Sequence, residues 1–179
     1  MSSMKKYELT EETKIIGDKT LFRIRALRSF GDIKAGDLGG FIENERNLSH
    51  GGNAWVGDNA QVGGNAEVYG DAQVVGYARV GGYARVDGDA WVGGYARVNG
   101  DGLINSNNDY LCEQGLGSRN RSASFFKCKD GHIHVLCGCF SGNLDEFENK
   151  VKEEHGNSKY SKEYLGFIEV VKTHFEVRQ

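Results

Sequence analysis

The side chains best suited to binding in this sequence belong to three copies of the tripeptide Tyr-Ala-Arg, at residues 77–79, 83–85 and 95–97. In an extended backbone, successive side chains point to opposite faces. The tyrosine and the arginine of each copy therefore project together, away from the alanine between them. Aromatic planes beside guanidinium groups suit a ligand that has a flat ring and a phosphate. The predicted ligand-binding residues are Tyr77, Arg79, Tyr83, Arg85, Trp91, Tyr95 and Arg97.

The same residue types are common where protein subunits meet, so subunit packing is the alternative interpretation of these tyrosines and arginines. The two interpretations are compatible, because ligand pockets often form at such boundaries. Ser118 and Arg119 extend the predicted site, since backbone amides beside Gly117 together with an arginine can hold a phosphate. A solvated loop is the alternative for that short segment.

A second set of side chains near the C-terminus contains zinc-ligand types. Its members are Cys128, His132, His134, Cys137 and Cys139. Strand alternation places the last two cysteines on one face with Ile133 and Val135, and both histidines on the other. Cysteines aligned with isoleucine and valine are usually core residues, and the sequence has no Cys-x2-Cys pair. We therefore predict no metal site, and we predict no cofactor.

The elements that must position the Tyr-Ala-Arg copies form a repeat. From Asn53 to Asp101, an alanine returns every six residues and a valine follows each alanine by two. A glycine stands two residues before nearly every alanine, and Asp58 takes that position once. Such a fixed period indicates a β-helix of stacked short strands. Valine fills the flat interior, and alanine fits the tighter part of the coil. Glycine and aspartate suit corners with positive φ.

The repeat unit, Val-Gly-Asp-Asn-Ala-Gln at residues 56–61, resembles that of the hexapeptide-repeat proteins, which form a left-handed parallel β-helix. The resemblance covers about residues 40–104 and implies triangular coils of 18 residues in a homotrimer packed along its coil faces. Residues 18 apart should then stack about one strand spacing apart, roughly 4.8 Å. The expected outward columns are Trp55, Gln73 and Trp91; Gln61, Arg79 and Arg97; and Glu67, Arg85 and Leu103.

Hexapeptide-repeat proteins are most often acyltransferases, and some are zinc carbonic anhydrases. Both use histidine presented from the coils. This chain has no histidine between residues 51 and 131, which leaves a carbonic anhydrase without its ligands. His50 stands alone at the entrance to the repeat, where we expect a residue of the cap layer. We predict no catalytic residue, and an acyltransferase that uses His50 is the enzyme alternative.

The predicted fold class is mainly β, a left-handed parallel β-helix followed by a small α+β module of ββαα order. Residues 1–40 should form strands that cap the coil, since an exposed strand edge would template aggregation. The β-helix should span 41–104, a polar linker 105–116, and the module 117–179. In the module, two strands flank a turn at Lys129-Asp130-Gly131. Two helices follow, and Asn143, Glu146 and Gly156 mark the start and end of the first.

The composition and charge of the chain limit the classes of partner that it is expected to bind. A net charge of -3 gives no general attraction to nucleic acid or to a membrane. No apolar run reaches transmembrane length, and no signal-peptide core follows Met1. Four cysteines without a Cys-rich spacing suit a reducing cytoplasm. The segments Leu21–Ser49 and Gly117–Phe140 also resemble parts of β-helix and small uncharacterised proteins of phages and prophages.

The residues and the resemblance together predict a non-catalytic, phage-encoded homotrimer in the cytoplasm of an infected or lysogenic bacterial host. Its expected task is to sequester a small, anionic, nucleotide-derived immune signal of the host. The alternatives are a hexapeptide-repeat acyltransferase and a structural or assembly component of the phage that binds no small ligand.

Overall fold

A parallel β-solenoid of about four turns forms the centre of the computed structural model, which describes residues 5–177. An antiparallel hairpin precedes the solenoid, and a four-stranded sheet with two helices follows it. This confirms the predicted mainly β fold with C-terminal helices. The outer ends of the predicted ranges 1–40 and 117–179 lie outside the described residues. Within residues 5–177, no helix combines the length and the apolar character that a membrane span requires.

The strands of the hairpin and solenoid are β1 (Tyr7–Ile16), β2 (Lys19–Ala26), β3 (Leu38–Ile42), β4 (Trp55–Val56), β5 (Gln61–Val62), β6 (Glu67–Val68), β7 (Gln73–Val74), β8 (Arg79–Val80), β9 (Arg85–Val86), β10 (Trp91–Val92), β11 (Arg97–Val98) and β12 (Leu103–Ile104). The C-terminal elements are β13 (Tyr110–Leu116), β14 (Arg121–Lys127), β15 (Ile133–Cys137), β16 (Phe140–Asn143), α1 (Leu144–His155) and α2 (Lys159–His174). Short 3-10 turns span Glu45–Asn47 and Asn107–Asp109.

The short strands of the solenoid are distributed in rotation over three parallel sheets, β4-β7-β10, β5-β8-β11 and β6-β9-β12. Paired residues are 18 positions apart, as Arg79 with Arg97 and Glu67 with Arg85. The amide N–H of Arg79, for example, donates to the carbonyl of Ala96 at 2.9 Å. Each turn therefore satisfies the backbone groups of the turn before it.

The interior of the solenoid consists of the repeated alanines and valines, each at most 3% exposed. The corners have the conformation that the sequence predicts. Gly82 has a φ of +63°, and a Cβ there would lie 2.6 Å from the amide nitrogen of Gly100. Asp58, the one residue that replaces the corner glycine, also has a positive φ of 51°.

The N-terminal hairpin caps the first turn. Strands β1, β2 and β3 pair antiparallel, and β3 pairs parallel with β5, so that one sheet of the solenoid extends to six strands. Lys6 is fully buried, and its Nζ donates to the carbonyl of Ala54 at 2.7 Å. Burial, with the nearby Arg28 charge, lowers the pKa of Lys6 to about 8. The Tyr7 hydroxyl donates to the carbonyl of Leu48 at 2.7 Å.

The C-terminal sheet, of order β13-β14-β15-β16, closes the other end of the solenoid. Ser124 accepts a hydrogen bond through Oγ from the amide of Arg97 at 2.8 Å. Phe126 and Leu136 extend the apolar core of the solenoid. The opposite face of the sheet, which includes Phe125 and Val135, packs with α1 and α2 in a second core.

Two predictions about this end need correction. Residues 105–116, predicted as a linker, contain a 3-10 turn and strand β13. The polar residues there satisfy the backbone of the turn: Ser106 Oγ accepts from the Asn108 amide, and the Asp109 carboxylate accepts from the Ser106 amide. The module therefore has four strands before its helices rather than two.

A candidate ligand-binding groove

The three sheets of the solenoid present three outward columns, and each is named here by one of its residues. The Arg79 face carries Gln61, Arg79 and Arg97. The Arg85 face carries Glu67, Arg85 and Leu103. The Trp91 face carries Trp55, Gln73 and Trp91. These columns are the ones that the repeat predicts.

A surface groove of about 260 Å³ runs along the Arg79 face. Its floor is the outer surface of β5, β8 and β11. The hairpin flanks one edge of that sheet and the C-terminal sheet lies beyond the other edge, so that these two elements form the walls. The hairpin contributes Ile16, Lys19 and Leu21, and the C-terminal sheet contributes Leu136. The remaining lining residues are Gln61, Gly63, Gly64, Arg79, Val80, Gly81, Gly82, Arg97, Val98 and Asn99.

Two arginines project from the floor of this groove on consecutive turns. Arg79 and Arg97 are both exposed, and they are register partners on β8 and β11. Among residues 5–177, neither guanidinium pairs with a carboxylate. Within the described part of the chain, the Arg97 side chain makes one hydrogen bond, from Nη1 to the carbonyl of Gly138 at 3.4 Å. Two cations thus lie side by side, and no carboxylate of the described residues pairs with either of them.

The tyrosines that precede these arginines form a stacked pair at the corner beside the groove. The rings of Tyr77 and Tyr95 are 5.1 Å apart between centroids, with an interplanar angle of 7°. They are 54% and 50% exposed. Tyr83 is exposed on the next corner, and its carbonyl accepts from Lys129 Nζ at 3.5 Å. Neither ring lines the groove, and Tyr95 lines a separate cavity of about 310 Å³ with Tyr110 and His174. The structure therefore stacks the two tyrosines on each other and places the two arginines side by side, but only the arginines line the groove.

Arg85 and Trp91 lie on the other two faces. The Arg85 Nε is 3.4 Å from Glu67 Oε2, so the charge of this arginine already has a partner. Trp91 lines a separate cavity of about 500 Å³ together with three aspartates, Asp32, Asp37 and Asp58. A cavity with three carboxylates and no lining lysine or arginine repels anions, so the predicted stacking role of Trp91 for an anionic ligand does not fit its surroundings.

Ser118 and Arg119 lie in the turn between β13 and β14 and are exposed. Neither residue lines the groove. The neighbouring Gly117 packs against the Tyr164 ring of α2, on the helix side of the C-terminal sheet. The structure therefore does not bring Ser118 and Arg119 into the groove with Arg79 and Arg97.

Sequence reasoning missed the walls of the groove. Lys19 was predicted only as part of the capping strands, yet it lies at the groove and forms an ion pair with Glu43, 2.8 Å from Nζ to Oε2. The Lys19 hydrogen bond and the Gly64 amide lower the pKa of the Glu43 carboxyl. The charge of Lys19 is thus balanced within the protein, and the unpaired positive charge of the groove comes from Arg79 and Arg97.

His50 lies in the N-terminal cap, as predicted. Its ring stacks on Tyr7 with 4.3 Å between centroids, and its Nδ1 accepts from the backbone amide of Lys6 at 3.2 Å. Its Nε2 is 3.6 Å from Glu45 Oε2. Because the lone pair of Nδ1 accepts from the Lys6 amide, the proton of a neutral ring lies on Nε2, which is buried and has no hydrogen-bond partner among residues 5–177. The nitrogen that could act as a base is thus Nδ1, which is already engaged, and this geometry does not support the acyltransferase alternative.

In comparisons with known proteins, the chain matches no model of a known protein family and no curated protein.

Proposed function

We propose that this chain is a non-catalytic binding protein whose groove on the Arg79 face holds a small phosphate-bearing ligand. One observation carries the proposal. Arg79 and Arg97 project side by side into a groove, and neither is paired with a carboxylate in the described chain. Guanidinium groups bind phosphate oxygens through charge-assisted, often bidentate hydrogen bonds.

The spacing of the arginines favours a phosphate group as their binding partner over a carboxylate-rich surface of another protein. Neighbouring strands are about 4.8 Å apart, so the two guanidiniums can approach oxygens of the same phosphate. Two like charges at that distance repel each other, and a bound anion relieves the repulsion. An anionic ligand therefore stabilises an arrangement that is unfavourable without it.

The walls of the groove suit the rest of a nucleotide. Ile16, Leu21 and Leu136 offer apolar surface in the groove itself. The stacked rings of Tyr77 and Tyr95 lie outside it, at the corner that leads into β8 and β11. Apolar lining with a few well-placed polar groups is the usual composition of a small-molecule site. A volume of about 260 Å³ favours a mononucleotide or one end of a larger nucleotide.

The biological setting that we propose is the one that the resemblances of the repeat and of its flanking segments imply. By resemblance to hexapeptide-repeat and phage β-helix proteins, the chain acts as a phage-encoded, cytoplasmic homotrimer that sequesters a nucleotide-derived signal of its bacterial host. The exposed Tyr77 and Tyr95 rings also suit a contact with a second copy of the chain, since aromatic residues are enriched in subunit contacts.

Isothermal titration calorimetry tests the proposal with adenosine monophosphate, adenosine diphosphate and cyclic adenine dinucleotides. Adenosine serves as the ligand that lacks phosphate. We expect saturable binding of at least one phosphorylated compound and none of adenosine. The double variant Arg79→Ala/Arg97→Ala should weaken binding by at least about 100-fold, because each of the two lost charge-assisted hydrogen bonds contributes about 1.5–3 kcal/mol. Arg85→Ala is the matched control and should change affinity by less than about threefold.

Two results would overturn the proposal. One is the absence of saturable binding for every phosphorylated compound. The other is an equal loss of affinity in the Arg85→Ala control, which would place the ligand elsewhere on the solenoid.

A further inference from the structure

A hairpin in the C-terminal sheet aligns a cysteine with two histidines. Strands β14 and β15 pair antiparallel with Phe126 opposite His134 and Lys127 opposite Ile133. The next pair in this register is Cys128 with His132, and the amide of Cys128 donates to the carbonyl of His132 at 2.9 Å. Because side chains alternate along a strand, Cys128, His132 and His134 share one face of the sheet.

This arrangement changes the expectation from the sequence. The alternation argument concerned Cys137 and Cys139, and Cys137 indeed packs beside the helix-facing core. It did not cover Cys128, which belongs to the partner strand and faces the histidines. The predicted turn at Lys129-Asp130-Gly131 already implied this pairing across the hairpin.

The three side chains are close enough to share an ion. One ligand atom from each lies within 4.8 Å of the other two. In a tetrahedral zinc site the ligand atoms are about 3.5 Å apart, given Zn–N and Zn–S bonds of about 2.0–2.3 Å. The Cys128 thiol is buried, whereas His132 is exposed and His134 is half-buried. Small rotations of the two imidazoles would therefore close the remaining distance.

Each histidine also has a hydrogen-bond partner on one ring nitrogen. His132 Nδ1 pairs with the Asp130 carboxylate, and His134 Nε2 lies 2.9 Å from Ser141 Oγ. Metal-bound histidines almost always use their second nitrogen in this way, which fixes the tautomer and the ring orientation. The nitrogens left for a metal are Nε2 of His132 and Nδ1 of His134.

We propose that Cys128, His132 and His134 form a binding site for a divalent transition metal, with Zn²⁺ as the best match for one sulfur and two nitrogen ligands. The fourth position is open to water. On binding, the Cys128 thiol forms the sulfur–metal bond and releases its proton to solvent. The proposal is independent of the nucleotide function proposed above.

The site has a structural consequence at the end of the solenoid. Cys128 forms a backbone bridge with Gly102, and the amide of Lys129 donates to the carbonyl of Asp101 at 3.1 Å. A metal bound by the hairpin would therefore stiffen the segment that closes the last turn. Added Zn²⁺ should raise the melting temperature, since a ligand that binds only the folded state stabilises it.

The experiment uses the full chain after chelator treatment, under a reductant that does not bind metals, with Zn²⁺ as the titrant in calorimetry. We expect one equivalent to bind. Cys128→Ser and His132→Ala should each weaken binding more than about tenfold, and Asp130→Asn about tenfold or more. The matched control is Cys139→Ser, which removes an exposed thiol outside the cluster and should bind like the parent protein.

Co²⁺ provides a second readout, because a thiolate ligand gives a sulfur-to-cobalt charge-transfer absorption. That band should be present in the parent protein and in Cys139→Ser, and absent in Cys128→Ser. His132→Ala keeps the test valid if the buried Cys128→Ser variant does not fold, since His132 is exposed. The proposal is overturned if the parent binds no Zn²⁺, if His132→Ala binds it with parental affinity, or if Cys139→Ser removes the band.

Discussion

The Arg79 face and the Arg85 face of the solenoid carry the same tripeptide, Tyr-Ala-Arg, yet their arginines have different surroundings. Arg79 pairs in register with Gln61, whereas Arg85 pairs with Glu67. The carboxylate of Glu67 neutralises its arginine, and the amide of Gln61 does not. Whether an arginine of this repeat keeps an unbalanced positive charge thus depends on the residue 18 positions earlier, which is its register partner. That residue lies outside the tripeptide.

The two faces are alike on the inside. Val80 and Val86 follow the two arginines, and both are buried at the corresponding position of the interior. The difference between the faces is therefore confined to the outer surface and to the flanking elements. Three predictions test this comparison, in order of decreasing effect.

The largest expected effect is on the shared interior. Val80→Ala and Val86→Ala should each lower the free energy of unfolding by about 2 kcal/mol, through lost apolar burial and the cavity that remains. Urea denaturation followed by circular dichroism measures both. A difference of more than about 1 kcal/mol between the two variants would mean that the faces differ inside as well as outside.

The second prediction makes the Arg79 face resemble the Arg85 face. Gln61→Glu places a carboxylate next to Arg79 and should weaken binding of the phosphorylated ligand about tenfold, by competition for the guanidinium and repulsion of the anion. Calorimetry measures the change. Gln73→Glu adds the same charge on the Trp91 face and is the control; an equal loss there would indicate an effect of net charge alone.

The smallest expected effect is the reverse change. Glu67→Gln removes the partner of Arg85, and both side chains are about half exposed. Exposed ion pairs contribute little, so the free energy of unfolding should change by less than about 0.5 kcal/mol. Thermal denaturation at low and high salt measures it. A loss of more than about 1 kcal/mol would show that Glu67 has a structural role beyond this pair.

The repeat made the solenoid predictable, because in each hexad the alanine and valine mark the interior positions and the glycine or aspartate marks the corner. The start of α1 was also predictable, since Asn143 accepts from the Glu146 amide and Glu146 bonds back to the Asn143 amide. Such signals are local: the residues that interact are close in sequence. The outward columns followed from the same regularity, because the register repeats with the sequence.

The walls of the groove and the cysteine–histidine cluster were not predicted, for two different reasons. Ile16 and Lys19 reach the groove only because β3 pairs with β5, and nothing in the hairpin's own sequence specifies that distant pairing. Cys128 and His132, by contrast, face each other across a turn that the sequence indicates. Extending the register across that turn would have brought them together.

The register of the solenoid also limits how its length can vary. Inserting one hexad after Val62 would shift every later residue to the next of the three sheets, and Leu136 would no longer lie across from the N-terminal hairpin. An insertion of 18 residues, the separation of paired strands, would keep each column on its own side and lengthen the groove by one rung. Solenoids of related chains should therefore differ in length by whole turns. Their grooves would then differ in length while the N-terminal hairpin and the C-terminal sheet stay unchanged.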